Sequence, residues 1–327
     1  MKIAVIHDYA DALRHTQAFP KLKGHEVLIY NDAYTDAARV VEQVKGCDAL
    51  LLTQQRVTVT RQILEQLPQL KFISQTGRNV SHLDVAACTD LGILVSAGGH
   101  DGASPYTTTG ELAWALILAA QRHLPYEVER FKQGHWHSTI GRRLYDSTLG
   151  IYAYGHIGSG VARVGKAFGM NVVCWGREGS LAKAKADGYA VAASREAFFE
   201  QCDVISLHIK SNDATRGIIT AADLARMKPT ALLVNTSRAP IIAEGALVEA
   251  LKKGRPGFAA VDVYEEEPVV GANHPLLKLP NALCSPHLGY SEHGSYEHVY
   301  EGGVEQLLAY AAGKPINVLN PNVVAKK

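Results

Sequence analysis

Short apolar runs alternate with helical patterns along most of the chain. Before residue 100, runs rich in Val, Ile and Leu predict buried strands at KIAVI, HEVLIY, DALLLT, LKFISQT and ILVSA. The segments DAARVVEQV and TRQILEQLP between them carry apolar residues at helical spacing. Strands that alternate with helices build a parallel sheet covered on both faces, so the pattern predicts an α/β fold.

A second series of the same kind begins near Leu149. Its predicted strands are LGIYAY, NVVCW, DVISLHI, ALLVNTS, GFAAVDVY and ALCSPH, with helical patterns between them. One long apolar segment, TTTGELAWALILAAQRH, separates the two series. Two β/α series joined by a single helix indicate two domains.

The separating segment is predicted to be a helix that starts with a threonine run before Glu111, where a hydroxyl could cap the first turn. Its residues are apolar on nearly every face, so the helix should be buried all round. That burial could come from its own domain core, from the other domain or from a second subunit.

The tail segment SYEHVYEGGVEQLLAYAAGKPI predicts another long helix, closed by Gly313 and Pro315. It follows the last strand of the second series. On the residues alone, it could complete the second domain or return to the first.

Composition narrows the class of protein. The chain has 327 residues, of which 47% are hydrophobic and 20% charged, and this suits two globular domains. The formal net charge is +1 and the apolar segments are short, so neither a nucleic acid nor a membrane is an expected partner. The five cysteines are scattered without a C-x-x-C pair, which favours reduced thiols in the cytoplasm and no metal site.

The segment GIYAYGHIGSGVARVGKAFGMNVVCWGRE combines a strand, a glycine turn, a helix and a second strand. This combination predicts a dinucleotide-binding unit, in which helix N-terminal amides receive the pyrophosphate. Gly155 would let a phosphate approach the backbone, and Gly158 would let the helix pack on the strand. His156 and Ile157 lie between them and belong to the same predicted cofactor site.

Two positions depart from the usual dinucleotide pattern. Ala153 replaces the first glycine; it is tolerated at negative φ and costs about 1 kcal/mol at positive φ. Where an acidic residue usually binds the ribose, the chain has Gly176 and Arg177, and an arginine favours a 2′-phosphate. The expected cofactor is therefore NADP rather than NAD, with Ser180 adding a hydroxyl, although Glu178 could serve as a ribose ligand.

Three later segments place polar residues where buried strands end: LLVNTSRAPII, AAVDVYEEEPVV and NALCSPHLGY. Ligands of open α/β sheets bind at such strand ends. With the fingerprint unit, the N-T-S-R, D-V-Y-x-x-E-P and P-H-L-G motifs occur in an order and spacing that resembles the D-isomer-specific 2-hydroxyacid dehydrogenases. The resemblance covers essentially the whole chain.

The resemblance implies a fold of two doubly wound parallel-sheet domains. A Rossmann cofactor domain, residues 99–287, would be inserted into a flavodoxin-like substrate domain formed by residues 1–98 and 288–327. The tail helix would then return to the first domain.

The resemblance also implies roles for individual residues. Arg238 corresponds to the arginine that binds the substrate carboxylate and carbonyl, His287 to the catalytic acid/base, and Glu267 to its carboxylate partner. These residue types suit the reduction of a 2-oxo acid, because an arginine binds a carboxylate through two hydrogen bonds and a histidine exchanges protons near neutral pH.

Further positions are assigned in the same way. Substrate binding would also involve Arg78 and Asn79, on the loop in QTGRNVSHLD; Arg56, at another strand end, could face the same pocket. Beyond the glycine turn and Arg177, the implied cofactor-binding residues are His208, Ile209, Thr215, Thr236, Ser237, Asp262 and Gly289.

The expected function is the reduction of small 2-oxo acids, such as glyoxylate, hydroxypyruvate or pyruvate, to D-2-hydroxy acids by NADPH or NADH. A homodimer is expected, with the apolar helix after Glu111 at its interface. Two alternatives stay open: a cofactor-sensing, corepressor-like binding protein on the same fold, and a phosphoglycerate dehydrogenase.

Overall fold

The computed structural model describes residues 1–34, 36–98 and 108–326. Contacts between Cα atoms divide the chain into two units, Met1–Pro105 with Glu292–Lys327, and Tyr106–Ser291. The first therefore contains both ends of the chain.

The strands of the described residues are all parallel within two sheets. They are β1 (Lys2–Ile6), β2 (Glu26–Ile29), β3 (Ala49–Leu52), β4 (Phe72–Gln75), β5 (Leu94–Ala97), β6 (Thr148–Tyr152), β7 (Asn171–Trp175), β8 (Ala190–Val191), β9 (Val204–Leu207), β10 (Leu232–Asn235), β11 (Phe258–Val261) and β12 (Ala282–Cys284).

The α-helices lie between and after these strands. They are α1 (Ala37–Val44), α2 (Arg61–Leu64), α3 (Val85–Asp90), α4 (Thr108–Gln121), α5 (Leu124–Lys132), α6 (His156–Ala167), α7 (Glu178–Ala186), α8 (Arg195–Gln201), α9 (Ala221–Arg226), α10 (Ala246–Lys252) and α11 (His293–Ala311).

The first unit has the sheet order β2-β1-β3-β4-β5, which is the flavodoxin-like doubly wound order. Its C-terminal helix α11 approaches the sheet closely at Gly303, where an added Cβ would meet the side chains of Leu51 and Thr76. The chain after α11 continues along β5, where the amide of Ala97 donates to the carbonyl of Asn317.

The second unit has the order β12-β11-β10-β9-β6-β7-β8. One face of its sheet buries an apolar cluster that includes Trp114 of α4 and Val161 of α6. The other face buries a cluster that includes Phe198 of α8 and Leu247 of α10. Both faces are covered, as a doubly wound sheet requires, and the predicted fold class is confirmed.

Some elements differ from the sequence prediction. The short edge strand β8 is not predicted, and neither is α5, which buries none of its residues and so lacks an apolar signal. Helix α4 buries Trp114 and Ile117 in its own unit but leaves Leu118 39% exposed, so it is not covered on every side within one chain.

The unit boundary near the C-terminus also differs from the prediction. The sequence predicts a boundary after His287, whereas contacts place residues 288–291 in the second unit. The reason is that the amides of Leu288 and Gly289 bond to Asp262 at the end of β11. The other predicted boundary, after Gly98, borders residues 99–107, which lie outside the described residues.

Within the described ranges, no helix combines the length and the apolar character needed to cross a membrane. All five cysteines are free thiols, and four of them are buried.

Candidate active site

Three neighbouring strands bring the predicted catalytic segments to one edge of the second sheet. In the strand register, Asn235 at the end of β10 pairs with Val261 of β11, and Val261 pairs with Cys284 of β12. Adjacent strands lie about 4.8 Å apart. The chain therefore carries Arg238, Glu267 and His287 away from the same carboxyl edge, each a few residues beyond its strand.

His287 and Glu267 are in direct contact. Nδ1 of His287 lies 2.5 Å from Oε2 of Glu267, and the side chains are 27% and 31% exposed. The other carboxylate oxygen, Oε1, accepts the amide of Tyr264 at 2.8 Å. Because a carboxylate accepts, the contact assigns the proton of the neutral ring to Nδ1 and leaves Nε2 for another partner.

His287 has a left-handed backbone, with φ of 54°. Such a conformation costs a non-glycine residue about 1–2 kcal/mol, and it is typical of functional sites that the surrounding structure holds in place.

Asp262 holds the loop that carries His287. Its carboxylate is fully buried and accepts the Ser285 hydroxyl at 2.5 Å and the amides of Leu288 and Gly289 at 2.7 and 2.8 Å. Burial raises the pKa of this carboxyl above its usual value, and the hydrogen bonds oppose that shift. The resemblance assigns Asp262 and Gly289 to the cofactor; the structure also gives both a part in shaping the loop that carries His287.

Arg238 is exposed on a turn that Asn235 braces. The Asn235 side chain accepts the amide of Ser237 at 3.0 Å and donates to the Arg238 carbonyl at 3.1 Å. The guanidinium bonds the Ser237 carbonyl at 2.7 Å; among described residues, no hydrogen bond or ion pair joins it to Glu267 or His287. Sequence reasoning did not give Asn235 this role, although an Asn just after a buried strand is a turn signal.

The glycine turn between β6 and α6 suits a dinucleotide. An added Cβ on Gly155 would meet nothing within 4 Å, so the surface is open there to an approaching phosphate. An added Cβ on Gly158 would overlap the carbonyl oxygen of Ala153. No side chain caps the start of α6, so its first amides, at His156, Ile157 and Gly158, are oriented for an anion.

Ala153 has φ of 74°, which is the strained case for a residue with a side chain. Its amide donates to the Trp175 carbonyl at 2.7 Å, and its carbonyl accepts the Gly155 amide at 3.0 Å. The turn thus keeps the left-handed geometry of a glycine fingerprint although alanine occupies the position.

Arg177 follows β7 as the N-cap of α7, where no side chain caps the helix, and it is exposed. Within the described ranges it forms no ion pair. The hydroxyl of Ser180 accepts the amide of Tyr154 at 2.7 Å, which ties α7 to the glycine turn. A cationic side chain therefore stands beside the turn, at the place where dinucleotide folds meet the ribose.

Two polar atoms near the ends of β9 and β10 are buried without a hydrogen-bond partner among the described residues, Oγ1 of Thr236 and Nε2 of His208. Burial lowers the pKa of His208 to about 4, so its ring is neutral at physiological pH. Buried polar atoms without partners are rare, and a ligand could satisfy them. The residues present therefore fit a nicotinamide cofactor.

Other predicted cofactor residues already have local partners. The Ser237 hydroxyl donates to the Leu207 carbonyl at 2.8 Å, and the Thr215 hydroxyl donates to the Lys210 carbonyl at 2.8 Å. Ile209 is 8% exposed and belongs to the apolar core. These side chains shape the strand ends.

In the first unit, the loop after β4 carries Arg78 and Asn79. The side-chain oxygen of Asn79 accepts the Ser81 backbone amide at 3.0 Å, and the backbone carbonyl of Asn79 accepts Nε2 of Gln55 at 3.5 Å. The loops that follow β3 and β4 are therefore in contact.

Arg56 lies on the loop that follows β3 in the same unit. Its guanidinium bonds the His7 carbonyl and the Tyr296 hydroxyl, and it lies 4.6 Å from the ring centroid of Tyr9. The sequence offered no signal for this aromatic group, because residues 7 and 296 are distant along the chain.

The architecture and these strand-end residues define a nicotinamide-dependent oxidoreductase, and comparison with known proteins agrees. The family model described as the D-isomer specific 2-hydroxyacid dehydrogenase, NAD binding domain, matches residues 114–289. The glyoxylate reductase of Aeropyrum pernix is 36% identical over 298 residues, which cover 87% of this chain and 86% of that protein.

Two further relatives carry a different name. The D-3-phosphoglycerate dehydrogenase of Methanocaldococcus jannaschii is 35% identical over 292 residues, 88% of this chain but 55% of that protein. The crystal structure of phosphoglycerate oxidoreductase from Vibrio cholerae o395 has a TM-score of 0.88 and 45% identity, and the match covers 96% of this chain and 99% of that one. The chain belongs to the D-isomer-specific 2-hydroxyacid dehydrogenase family.

Proposed function

We propose that the protein reduces small 2-oxo acids to D-2-hydroxy acids, with NADPH as its preferred reductant. The observation that carries the proposal is the 2.5 Å contact between Nδ1 of His287 and Glu267, at the strand edge that also carries Arg238. This contact leaves Nε2 of His287 to exchange a proton with a substrate oxygen.

A bound nicotinamide supplies or accepts the hydride at the substrate carbon. His287 delivers a proton from Nε2 to the carbonyl oxygen in reduction and removes it in oxidation. Glu267 holds the ring and stabilises the charged imidazolium. Arg238 binds the substrate carboxylate and polarises the carbonyl. Arg78 and Asn79 complete the recognition of the carboxylate.

The cofactor assignment uses the turn and the strand ends. The amides at His156, Ile157 and Gly158 receive the pyrophosphate, which Gly155 lets approach the backbone, and Thr236, Ser237, Asp262 and Gly289 border the nicotinamide. His208, Ile209 and Thr215 flank the adenosine half. The exposed Arg177 supports a 2′-phosphate, since guanidinium groups bind phosphates with charge-assisted hydrogen bonds.

Glyoxylate, hydroxypyruvate and pyruvate are the first substrates to test, and the relative named glyoxylate reductase supports this choice. Phosphoglycerate is the second candidate. It is favoured by the similarity, at 45% identity, to a solved chain named phosphoglycerate oxidoreductase.

The test follows NADPH and NADH absorbance with a panel of 2-oxo acids, and NADP and NAD reduction with D-lactate, D-glycerate and 3-phosphoglycerate. We expect the highest kcat/KM with NADPH and a small 2-oxo acid. A higher kcat/KM with NADH overturns the cofactor preference. If the highest kcat/KM is that with 3-phosphoglycerate, the second candidate is selected. Cofactor binding without any turnover would support a cofactor-sensing binding protein instead.

We also propose that the protein is a homodimer. Its support is a run of exposed apolar side chains from α5 to Ile140, which includes Phe131 at 63%, Trp136 at 74% and Ile140 at 95% exposure. The rings of Phe131 and Trp136 are in contact, and large exposed apolar surfaces are typical of protein interfaces. The interface would involve α5 and the segment after it as well as the exposed side of α4.

A further inference from the structure

Gly289, two residues beyond His287, is held at both of its backbone polar groups. Its amide donates to Oδ2 of Asp262 at 2.8 Å. Its carbonyl oxygen accepts two hydroxyls from the first turn of α4, those of Thr108 at 3.1 Å and Thr109 at 3.0 Å. Since a carbonyl can only accept, both hydroxyls donate to it.

Thr108 and Thr109 are the first two residues of α4, and their hydroxyls bond a loop outside the helix. The packing is close as well, because an added Cβ on Gly289 would lie 3.3 Å from Oδ2 of Asp262 and 3.4 Å from Cγ2 of Thr109.

The restrained segment includes the strained catalytic residue. His287 has φ of 54°, and strain of this kind persists only where neighbouring contacts hold it. Before His287, Ser285 is fixed by the Val261 carbonyl and by Asp262. After it, Leu288 and Gly289 bond Asp262. These restraints all come from β11 and its end, whereas the two threonine hydroxyls come from a different element.

We propose that Thr108 and Thr109 are positioning residues for His287. Their hydroxyls fix the Gly289 carbonyl, and the loop then keeps the imidazole against Glu267 with Nε2 directed away from that carboxylate. The two hydroxyls share one acceptor, so either one alone keeps part of the restraint. The kinetic consequence rests on the proposed function, but the consequence for the geometry of the ring does not.

The test compares two double variants, with and without the hydroxyls. T108V/T109V keeps the branched shape and removes both donors, whereas T108S/T109S keeps both donors and removes methyl groups. Thr230→Val, on an exposed turn, is the matched control. T108A/T109A repeats the loss of the donors should the valine pair fail to fold, and circular dichroism checks each variant.

For the small 2-oxo acid reduction, we expect kcat of T108V/T109V to fall about tenfold, because small misplacements of a catalytic group cost one to two orders of magnitude. The KM for the cofactor should stay near that of the parent. T108S/T109S should restore kcat. Each single valine variant should show less than half of the decrease in log kcat that T108V/T109V shows.

The second readout is independent of turnover. Imidazole nitrogen NMR of isotope-labelled histidine reports which nitrogen of His287 carries the proton, with H287N as the assignment standard. We expect a single Nδ1–H form in the parent and in T108S/T109S, and a mixture in T108V/T109V. A folded valine or alanine pair that keeps both the Nδ1–H signature and the parental kcat overturns the proposal. If no 2-oxo acid is turned over by the parent, the proposed function fails, and the NMR comparison alone decides the role of the threonines.

Discussion

His287 and Glu267 are joined by a short polar contact, with 2.5 Å between Nδ1 and Oε2. The two residues are separated by the whole of β12, yet parallel neighbours bring them together at one sheet edge. In the proposed mechanism, the contact fixes the ring through Nδ1 and leaves Nε2 for the substrate, so its loss should affect chemistry more than binding.

We therefore expect His287→Asn to lower kcat by roughly two to four orders of magnitude, the usual loss when a general acid/base is removed. Glu267→Gln should lower it by about one to two orders, because the amide holds the ring without stabilising its charge. Steady-state rates with NADPH and fluorescence titration of the cofactor measure the two effects separately. Glu266→Gln, an exposed neighbour, is the control. Unchanged kcat in the Glu267 variant would remove the carboxylate from the mechanism.

Alanine substitutions at the two glycines of the α6 turn should have different effects. An added methyl on Gly155 meets no protein atom within 4 Å, so Gly155→Ala should change the free energy of unfolding by less than about 1 kcal/mol. It should weaken cofactor binding roughly tenfold, because the methyl occupies the phosphate approach. Gly158→Ala should instead destabilise the fold by about 1–3 kcal/mol, since its methyl overlaps the Ala153 carbonyl. Urea unfolding and cofactor titration of both variants make the comparison, and equal stability losses would contradict it.

The left-handed backbone of Ala153 leads to a prediction of opposite sign. Ala153→Gly removes a strain of about 1–2 kcal/mol and adds about 0.4–1 kcal/mol of unfolded-state entropy, so stability should stay level or rise by up to about 1.6 kcal/mol. Ala312→Gly is the matched control, because Ala312 is exposed and has φ of −79°, and it should lose stability by about 0.5–1 kcal/mol. The same urea series measures both. If Ala153→Gly loses as much as the control, the strain at residue 153 is absent.

Periodicity was sufficient to predict most of the fold, because buried parallel strands are short continuous apolar runs. Residue pairs joined only by tertiary structure were harder to predict. Glu265, in the run of acids before Pro268, is exposed, and only the folded chain shows that its carboxylate also contacts His274 at 2.9 Å. Likewise, threonines before Glu111 resemble a helix cap, and only the folded loop shows that Gly289 is their acceptor. A sequence pattern gives the local geometry of a residue, whereas its partner depends on the crossover of distant segments.

Two histidines whose Nε2 atoms are buried should make stability depend on pH. Burial lowers the pKa values of His7 and His208 to about 4. The unfolded chain protonates these rings below about pH 6.5, whereas the folded chain does not until about pH 4, so stability should fall as the pH drops through this range. Each histidine contributes up to about 1.4 kcal/mol per pH unit.

His208→Gln should flatten the fall in thermal midpoint between about pH 6.5 and about pH 4, as should His7→Gln for the first unit. His135→Gln, at an exposed histidine, is the matched control. Circular dichroism melts at several pH values give the slopes. A slope in His208→Gln as steep as in the parent would mean that this ring does not resist protonation in the folded state.

The exposed rings of Phe131 and Trp136 provide the test of assembly. They lie 5.8 Å apart in an edge-on contact, and both are more than half exposed in a single chain. Water contact with such large apolar surfaces is unfavourable, so a second copy that covers them would stabilise the protein. Light scattering should give about twice the single-chain mass of 35.3 kDa. Phe131→Lys should shift the protein toward the single-chain mass, because a charge in the interface must be desolvated without a partner.

Leu91→Lys, at a separate exposed apolar position on the first unit, should leave the mass unchanged. A parent protein of single-chain mass at micromolar concentration would exclude this surface as a stable interface, and a dimer that survives Phe131→Lys would place the interface elsewhere.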